Sequence, residues 1–410
     1  MEDIYRNIST WKKPLHKTRA QVTKWWVKIN PQAEIIGVTG SVGKTTTKEA
    51  IASVLSQKFS TVASIGNLDP VFNIPITLLK VRPWTKKVVL ELGVEYPNEM
   101  DFYLSLVQPN IGVVTRVYWA HTEFLGDIQG VINEKSKLLK KLPEKGWAVL
   151  NHDDEYIREE MAKRTKAHIF SFGTHPYADL QVSDFLHQGK DGSAFKIKSK
   201  LKEFPQETKI SWKLLGEHNT VAAAAAACVG LLSGLSPKEI KVGLEKLKPQ
   251  PHRLNPVAGP SGSLILDDTY NSSPAAAMMA LETLRALANK GRAIAVLGEM
   301  KELGKYIEEG HREVGRKAAQ ENIDKLILYG EKTRFTGEEA RKNGLKKDQI
   351  TDVSSAEKIV EILKKELKRD DVCLIKASRH HIHLERVVLG LEDKPMVVDC
   401  LVCPEFRSVR

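Results

Sequence analysis

Apolar residues recur along this chain in short, uniform runs separated by stretches of helical periodicity. Ile35-Ile36-Gly37-Val38, Val88-Val89-Leu90, Ile111-Gly112-Val113-Val114 and Trp147-Ala148-Val149-Leu150 are too short for amphipathic helices and read as buried strands. Helical spacing follows the first of them, over 48–55. Buried strands alternating with helices predict a parallel sheet covered on both faces. Between about 165 and 212 the texture changes to short alternating segments such as Ala194-Phe195-Lys196-Ile197, which predict antiparallel strands. An alanine-rich helix over 221–232 then returns the chain to the α/β pattern. Lys248-Pro249-Gln250-Pro251-His252-Arg253 reads as a linker, because its prolines disfavour both helix and central strand. Beyond it the alternation restarts with Leu264-Ile265-Leu266, Ala293-Ile294-Ala295-Val296-Leu297, Lys325-Leu326-Ile327-Leu328 and Val372-Cys373-Leu374-Ile375. A lead over 1–33, amphipathic and carrying Trp11, Trp25 and Trp26, precedes all of this and stops at Pro31.

A length of 410 residues suggests two or three domains. The hydrophobic share of 42% and charged share of 28% are those of a soluble globular protein able to bury proper cores. A formal charge of +11 draws polyanions, but the basic residues are scattered through amphipathic segments such as 358–368. That dispersion argues against a nucleic-acid partner and suits small anionic substrates. Four cysteines, Cys228, Cys373, Cys400 and Cys403, are too few for a disulfide framework, and the lone C-x-x-C of the last two lacks a second pair or a histidine at zinc spacing. With no apolar run of about 18 residues and no basic-then-apolar start, the expectation is a cytoplasmic protein without a membrane span.

The strongest chemical signal is Gly37-Val38-Thr39-Gly40-Ser41-Val42-Gly43-Lys44-Thr45-Thr46, set between a strand and a helix. Such a loop turns backbone N–H groups and a helix N-terminus toward phosphate; Lys44 can reach the terminal phosphates and Thr45 can ligate Mg²⁺. Val38 stands where the strict spacing would have its first glycine. An incidental lysine in a glycine turn is the bland alternative, and the strand-loop-helix setting disfavours it. The fold class expected is thus α/β: a central P-loop parallel-sheet ATPase domain over 34–250, followed by a smaller Rossmann-like α/β domain over 251–410.

This string resembles the ATP loop of the Mur ligases and their folylpolyglutamate synthase relatives, which departs from the general phosphate loop in the same way. Gly216-Glu217-His218-Asn219 resembles the family's G-x-H-N element. Leu266-Asp267-Asp268-Thr269-Tyr270-Asn271-Ser272-Ser273-Pro274 resembles the D-D-S-Y-N-A-N-P of its D-alanyl-D-alanine-adding members. Val296-Leu297-Gly298-Glu299-Met300-Lys301-Glu302-Leu303-Gly304, with His311 following, resembles their V-L-G-D-M-x-E-L-G. The resemblance runs from about 34 to 390.

What it implies is specific. Gly40, Ser41, Val42, Gly43, Lys44, Thr45 and Thr46 would hold the nucleotide phosphates. Glu91, at a strand end, matches the family's Mg²⁺ glutamate, and His121 the histidine on a second Mg²⁺. Lys135 matches a lysine that is carbamylated to hold that second metal; on its residues alone it reads as part of a solvated basic face with Lys137, Lys140 and Lys141. Arg253 matches an arginine on the nucleotide phosphates, Asp268 an aspartate near the ribose, and Asn219 and Asn271 stand near the nucleotide. Lys376, in Lys376-Ala377-Ser378-Arg379, matches a lysine brought to the reaction centre by closure; solvation is the bland reading of Arg253 and Lys376, and turn formation that of Asp268 and Asn271.

The activity implied is ATP- and Mg²⁺-dependent amide-bond formation through an acyl phosphate, adding D-alanyl-D-alanine to a UDP-N-acetylmuramoyl-tripeptide in peptidoglycan precursor synthesis. Lys44, Lys135, His121 and Lys376 would be the catalytic side chains. Some 33 residues precede the ATP strand where the resemblance implies a UDP-binding domain of roughly a hundred. Ser273, Ala222, Asp69-Pro70 and His380 also depart from the family pattern. A different carboxylate acceptor, lipid-linked or polyglutamate, is therefore the first alternative. A non-catalytic nucleotide-binding module is the second, and retention of a second-metal set argues against it. A monomer is expected, with a partner protein able to supply the acceptor-binding part.

Overall fold

The computed structural model describes residues 4–5, 12–66, 69–201, 207–379 and 382–398. Trp11, Asn67, His380, Cys400 and Cys403 lie outside the described residues. The described residues divide into two compact units. The first takes in residues up to Leu186, Ala194–Trp212 and His218–Leu247; the second takes in His187–Ser193, Lys213–Glu217 and the chain from Lys248 onward.

In the first unit the uniformly apolar runs become strands of one sheet. Its strands are β1 (Glu34–Thr39), β2 (Thr61–Ala63), β3 (Lys87–Glu91), β4 (Ile111–Val114), β5 (Trp147–Asn151), β6 (His168–Gly173), β7 (Leu180–His187), β8 (Ser193–Ser199) and β9 (Thr208–Trp212), in the order β2-β3-β1-β4-β5-β6-β7-β8-β9. All pairs from β2 through β7 are parallel. The chain visits β2 and β3 on one side of β1 before crossing to β4 on the other, so β1 is the point where the winding reverses. In an open parallel sheet that carboxyl-end crevice is where ligands sit. The helices are α1 (Lys13–Lys28), α2 (Lys44–Leu55), α3 (Pro70–Leu78), α4 (Glu99–Leu106), α5 (Thr122–Leu125), α6 (Ile128–Lys141), α7 (Thr220–Leu232) and α8 (Pro237–Glu245).

The alanine run is explained by α7: a Cβ on Gly230 would meet both Val54 of α2 and Ile240 of α8 at 2.9 Å, so three helices approach closely and only small side chains fit between them. The expectation of antiparallel strands from 165 onward needs correction at its start. β6 pairs parallel with β5 along its length, and β7 pairs parallel with β6 at Phe172↔Leu180 and Gly173↔Gln181. Asp179 makes this short contact by accepting from both the N–H and the hydroxyl of Ser171, a tie that alternation of apolar residues does not reveal.

In the second unit, β10 (Asn255–Ala258), β11 (Leu264–Asp268), β12 (Ala293–Gly298), β13 (Lys325–Tyr329), β14 (Ile350–Val353) and β15 (Val372–Lys376) form a sheet in the order β10-β11-β15-β12-β13-β14. It is parallel apart from the β10–β11 edge. Successive strand residues face opposite sides, and both sides are buried: Leu266, Ala295, Leu328 and Leu374 pack on one core, Ile265, Val296, Ile327 and Ile375 on the other. α9 (Pro274–Leu287), α10 (Ile307–Gln320) and α11 (Arg334–Lys342) contribute to the first core, α12 (Ala356–Glu366) and α13 (Glu385–Leu391) to the second. Among the described residues no helix is long and apolar enough to cross a membrane.

Candidate functional site

The turn between β1 and α2 is built for close approach of an anion. Gly40 has φ +148°, and a Cβ there would lie 2.0 Å from the Thr115 hydroxyl. Gly43, at φ 84°, caps α2 in the left-handed region with open space where its Cβ would be, and the first turn of α2 carries no acidic residue. A helix N-terminus with no acidic residue in its first turn favours negative charge. The loop is held from β4 and the residues after it: Thr115 donates to the carbonyl of Val42 at 2.6 Å, Ser41 N–H to that of Arg116 at 2.6 Å, and the Ser41 hydroxyl to that of Tyr118 at 2.8 Å. Asn151 at the end of β5 in turn donates to the carbonyl of Thr115 at 2.7 Å. Lys44 Nζ lies back on the carbonyl of Ser41 at 3.2 Å, and Thr46 is buried in the first turn of α2.

Parallel register sets Glu91 beside Val38, one residue before the loop's Thr39. The Thr45 hydroxyl donates to Glu91 Oε1 at 2.9 Å. A hydroxyl and a carboxylate brought together at the phosphate end of the turn form the hard-oxygen pair that suits Mg²⁺. His121 caps α5 at φ 56° and is partly buried.

Lys135 is not on a solvated face. Its side chain is fully buried on the inner side of α6, while Lys140 and Lys141 on the same helix are exposed. Its Nζ is buried without a hydrogen-bond partner. Burial, and then the positive charge of Lys44, push its pKa well below the ordinary lysine value, against the opposing pull of Glu134, Glu99 and Glu95. A lowered pKa favours the uncharged, nucleophilic amine, the form that takes up CO₂ as a carbamate. A partnerless buried nitrogen is costly as a lysine and becomes intelligible as the stem of an anionic metal ligand. The donor set of this unit therefore fits a divalent cation.

In the second unit the expected residues also converge. Parallel pairing sets Asp268 opposite Lys376; their charged ends are 2.7 Å apart, and Lys376 Nζ further donates to the carbonyl of Asn271 at 2.8 Å. Lys376 is buried, which removes the alternative of a solvated surface lysine. The guanidinium of Arg253 lies over the Tyr270 ring, 4.3 Å from its centroid. Leu254 N–H donates to Asp268, and Tyr270 N–H to the carbonyl of His252 at 3.1 Å, so the segment entering this unit is tied to the end of β11. Asn219 belongs to the first unit, half-buried at the start of α7.

Several participants escape a reading of the sequence. Thr115 and Asn151 are polar residues immediately after or ending apolar runs, a signal available at strand ends but shared by many incidental residues. The His252–Asp267 pair, at 2.8 Å, could not be anticipated; the Asp267 hydrogen bond raises the His252 pKa. His311 is buried, with Met300 N–H donating to its Nε2 and its Nδ1 3.0 Å from the Thr336 hydroxyl.

Comparison with known proteins gives the family. Residues 38–230 match the Mur ligase middle domain, and residues 252–379 match the Mur ligase, glutamate ligase domain. A UDP-N-acetylmuramoyl-tripeptide–D-alanyl-D-alanine ligase of Bacillus subtilis is 31% identical over 88% of this chain and 76% of its own length. The enzyme of that name from Escherichia coli is 30% identical over 75% of this chain and 67% of its own. Among solved structures, MurF of Acinetobacter baumannii superposes with a TM-score of 0.82 at 25% identity, covering 92% of this chain and 81% of that one. MurF of Thermotoga maritima, in complex with ADP, gives 0.81 at 27% identity, covering 92% and 84%. With the phosphate turn, the buried lysine and the paired second-unit residues all set in a sequence 31% identical to one of these ligases, the chain belongs to the Mur ligase family.

Proposed function

We propose that this protein is a cytoplasmic, ADP-forming ligase that joins D-alanyl-D-alanine to the terminal carboxylate of a UDP-N-acetylmuramoyl-tripeptide. The acceptor and donor are those named for its Bacillus subtilis and Escherichia coli relatives. The observation that carries the ligase reading over simple nucleotide binding is Lys135: a binder of ATP has no use for a buried, partnerless amine beside Lys44.

A carboxylate resists amines because it is anionic and its oxide leaves poorly. Phosphorylation removes both obstacles. The acceptor carboxylate attacks the γ-phosphorus of ATP and ADP leaves; the amine of D-alanyl-D-alanine then attacks the acyl carbon, loses a proton, and inorganic phosphate departs from the tetrahedral intermediate. The Gly40–Gly43 turn and the α2 N-terminus hold the phosphates, and Lys44 swings from the Ser41 carbonyl to the terminal phosphate as charge builds there. Thr45 and Glu91 would hold one Mg²⁺, and His121 with carbamylated Lys135 a second, which neutralise phosphoryl oxygens when bound. Arg253, Asp268, Asn271, Lys376 and Asn219 are assigned to the nucleotide and the reacting groups. No side-chain nucleophile is required.

The deciding experiment is phosphate release from ATP and Mg²⁺ with UDP-N-acetylmuramoyl-tripeptide, with and without D-alanyl-D-alanine. Turnover should require both. A folded, ATP-binding sample that turns over with neither, but with another carboxylate, would displace this acceptor.

A further inference from the structure

The outward face of α1 takes no part in the chemistry above. α1 buries Ala20 and Thr23, and Trp26 and Val27 pack on the core shared with α3 and α4. Its opposite side carries Leu15, Val22, Trp25 and Ile29, all exposed, Trp25 by 58%. Spaced at i, i+7, i+10 and i+14, these four form one stripe along the helix. The turn between α3 and β3 lies against the same helix and the residues after it: Trp26 Nε1 donates to the carbonyl of Val81 at 3.0 Å, and Gln32 Nε2, between α1 and β1, to that of Arg82 at 3.1 Å. That turn presents Trp84, 66% exposed, between exposed Arg82 and Lys86. Large apolar groups turned to water on one face mark an interaction surface.

The charges say what covers it. The sixteen residues of α1 include Lys13, Lys17, Arg19, Lys24 and Lys28 and no aspartate or glutamate. A second copy of this face would set those cations against themselves. Tryptophans beside an apolar stripe, flanked by lysine and arginine and free of acids, are what a helix lying in a headgroup layer presents: the rings sit at the apolar boundary and the cations meet phosphate. We propose that this face, α1 together with the 80–86 turn, is a peripheral docking surface for an anionic lipid bilayer, on which the protein rests without spanning.

The test uses the full chain and vesicles of phosphatidylcholine, alone or with equimolar phosphatidylglycerol, followed by sedimentation and tryptophan emission. Binding should be confined to the anionic vesicles, shift the emission to shorter wavelength and weaken with salt. Trp25→Ser with Trp84→Ser, and separately Lys17→Glu with Lys24→Glu and Lys28→Glu, should each lower partitioning by at least about tenfold while leaving phosphate release unchanged. Three results overturn the proposal. One is partitioning that is equal for both lipid mixtures or for wild type and variants. Another is self-association that disappears in the tryptophan variant without any vesicle binding. The last is a soluble protein partner captured through Trp25 while vesicles are ignored.

Discussion

Lys135 shows how much one residue's environment decides. Fully buried, without a partner and repelled by Lys44, it is poorly suited to remain an ammonium. Lys135→Ala should lower ligation by roughly 10²–10³-fold, the scale of losing one preorganised electrostatic group, and Lys135→Glu should recover part of it. Depleting bicarbonate should slow the wild type and not the alanine variant; equal rates for the two proteins would remove the carbamate from the mechanism. Asp268 makes the complementary case in the second unit. Asp268→Asn leaves buried Lys376 facing a neutral amide and should cost about 3 kcal/mol in urea unfolding. Adding Lys376→Met should restore most of that loss, because the stranded charge is then gone. If the single variant unfolds like wild type, the pair contributes nothing to stability.

At the level of elements, the β1–α2 turn depends on two glycines for different reasons. Gly40→Ala would drive a methyl against the Thr115 hydroxyl that also holds the Val42 carbonyl. Loss of measurable ADP binding by calorimetry is expected, since the loop must shift. Gly43→Ala meets no atom and pays only for its left-handed backbone, about 1 kcal/mol, so it should bind ADP within roughly tenfold of wild type. The reverse ranking would mean that the carbonyl cradle does not shape the phosphate site. The central strands β1, β3, β4, β5, β11, β12, β13 and β15 were legible as uniform apolar runs because both of their faces are buried, as Ile265 and Leu266 show by packing on opposite cores; the half-exposed β2, β10 and β14 were not. The β6–β7 pairing was not, since it is set by Asp179 reaching back to Ser171.

For the molecule as a whole, acid stability should carry the mark of His311. Burial lowers its pKa from 6.5 to about 4. Its neutral form accepts from Met300 N–H at Nε2, an acceptor that protonation would abolish. Between those two values the unfolded chain binds a proton that the folded chain does not, so stability rises with pH there and is lost as pH falls from 6.5 toward 4. The full span is worth about 3 kcal/mol. Urea unfolding of His311→Gln across that window should show a shallower pH slope than the wild type; an identical slope would assign the acid sensitivity elsewhere. Saturating ADP should raise the unfolding free energy by about 2.7 kcal/mol at a hundredfold excess over its dissociation constant.

By itself the sequence determined the α/β class, the phosphate turn and the family, because these rest on local patterns: runs of apolar residues, a glycine string ahead of a helix, short motifs in order. Tertiary structure decided which charged residues are buried. Lys135, among charged neighbours, and Lys376, at the end of an apolar run, each allow a solvated reading, and only packing of α6 on its sheet and pairing of β11 with β15 takes them out of water. The same holds for the support around the turn, where Thr115, just after β4, and Asn151, at the end of β5, arrive from far along the chain. Periodicity reports which face of an element is apolar; it carries no information on what lies opposite a polar atom once that face is closed.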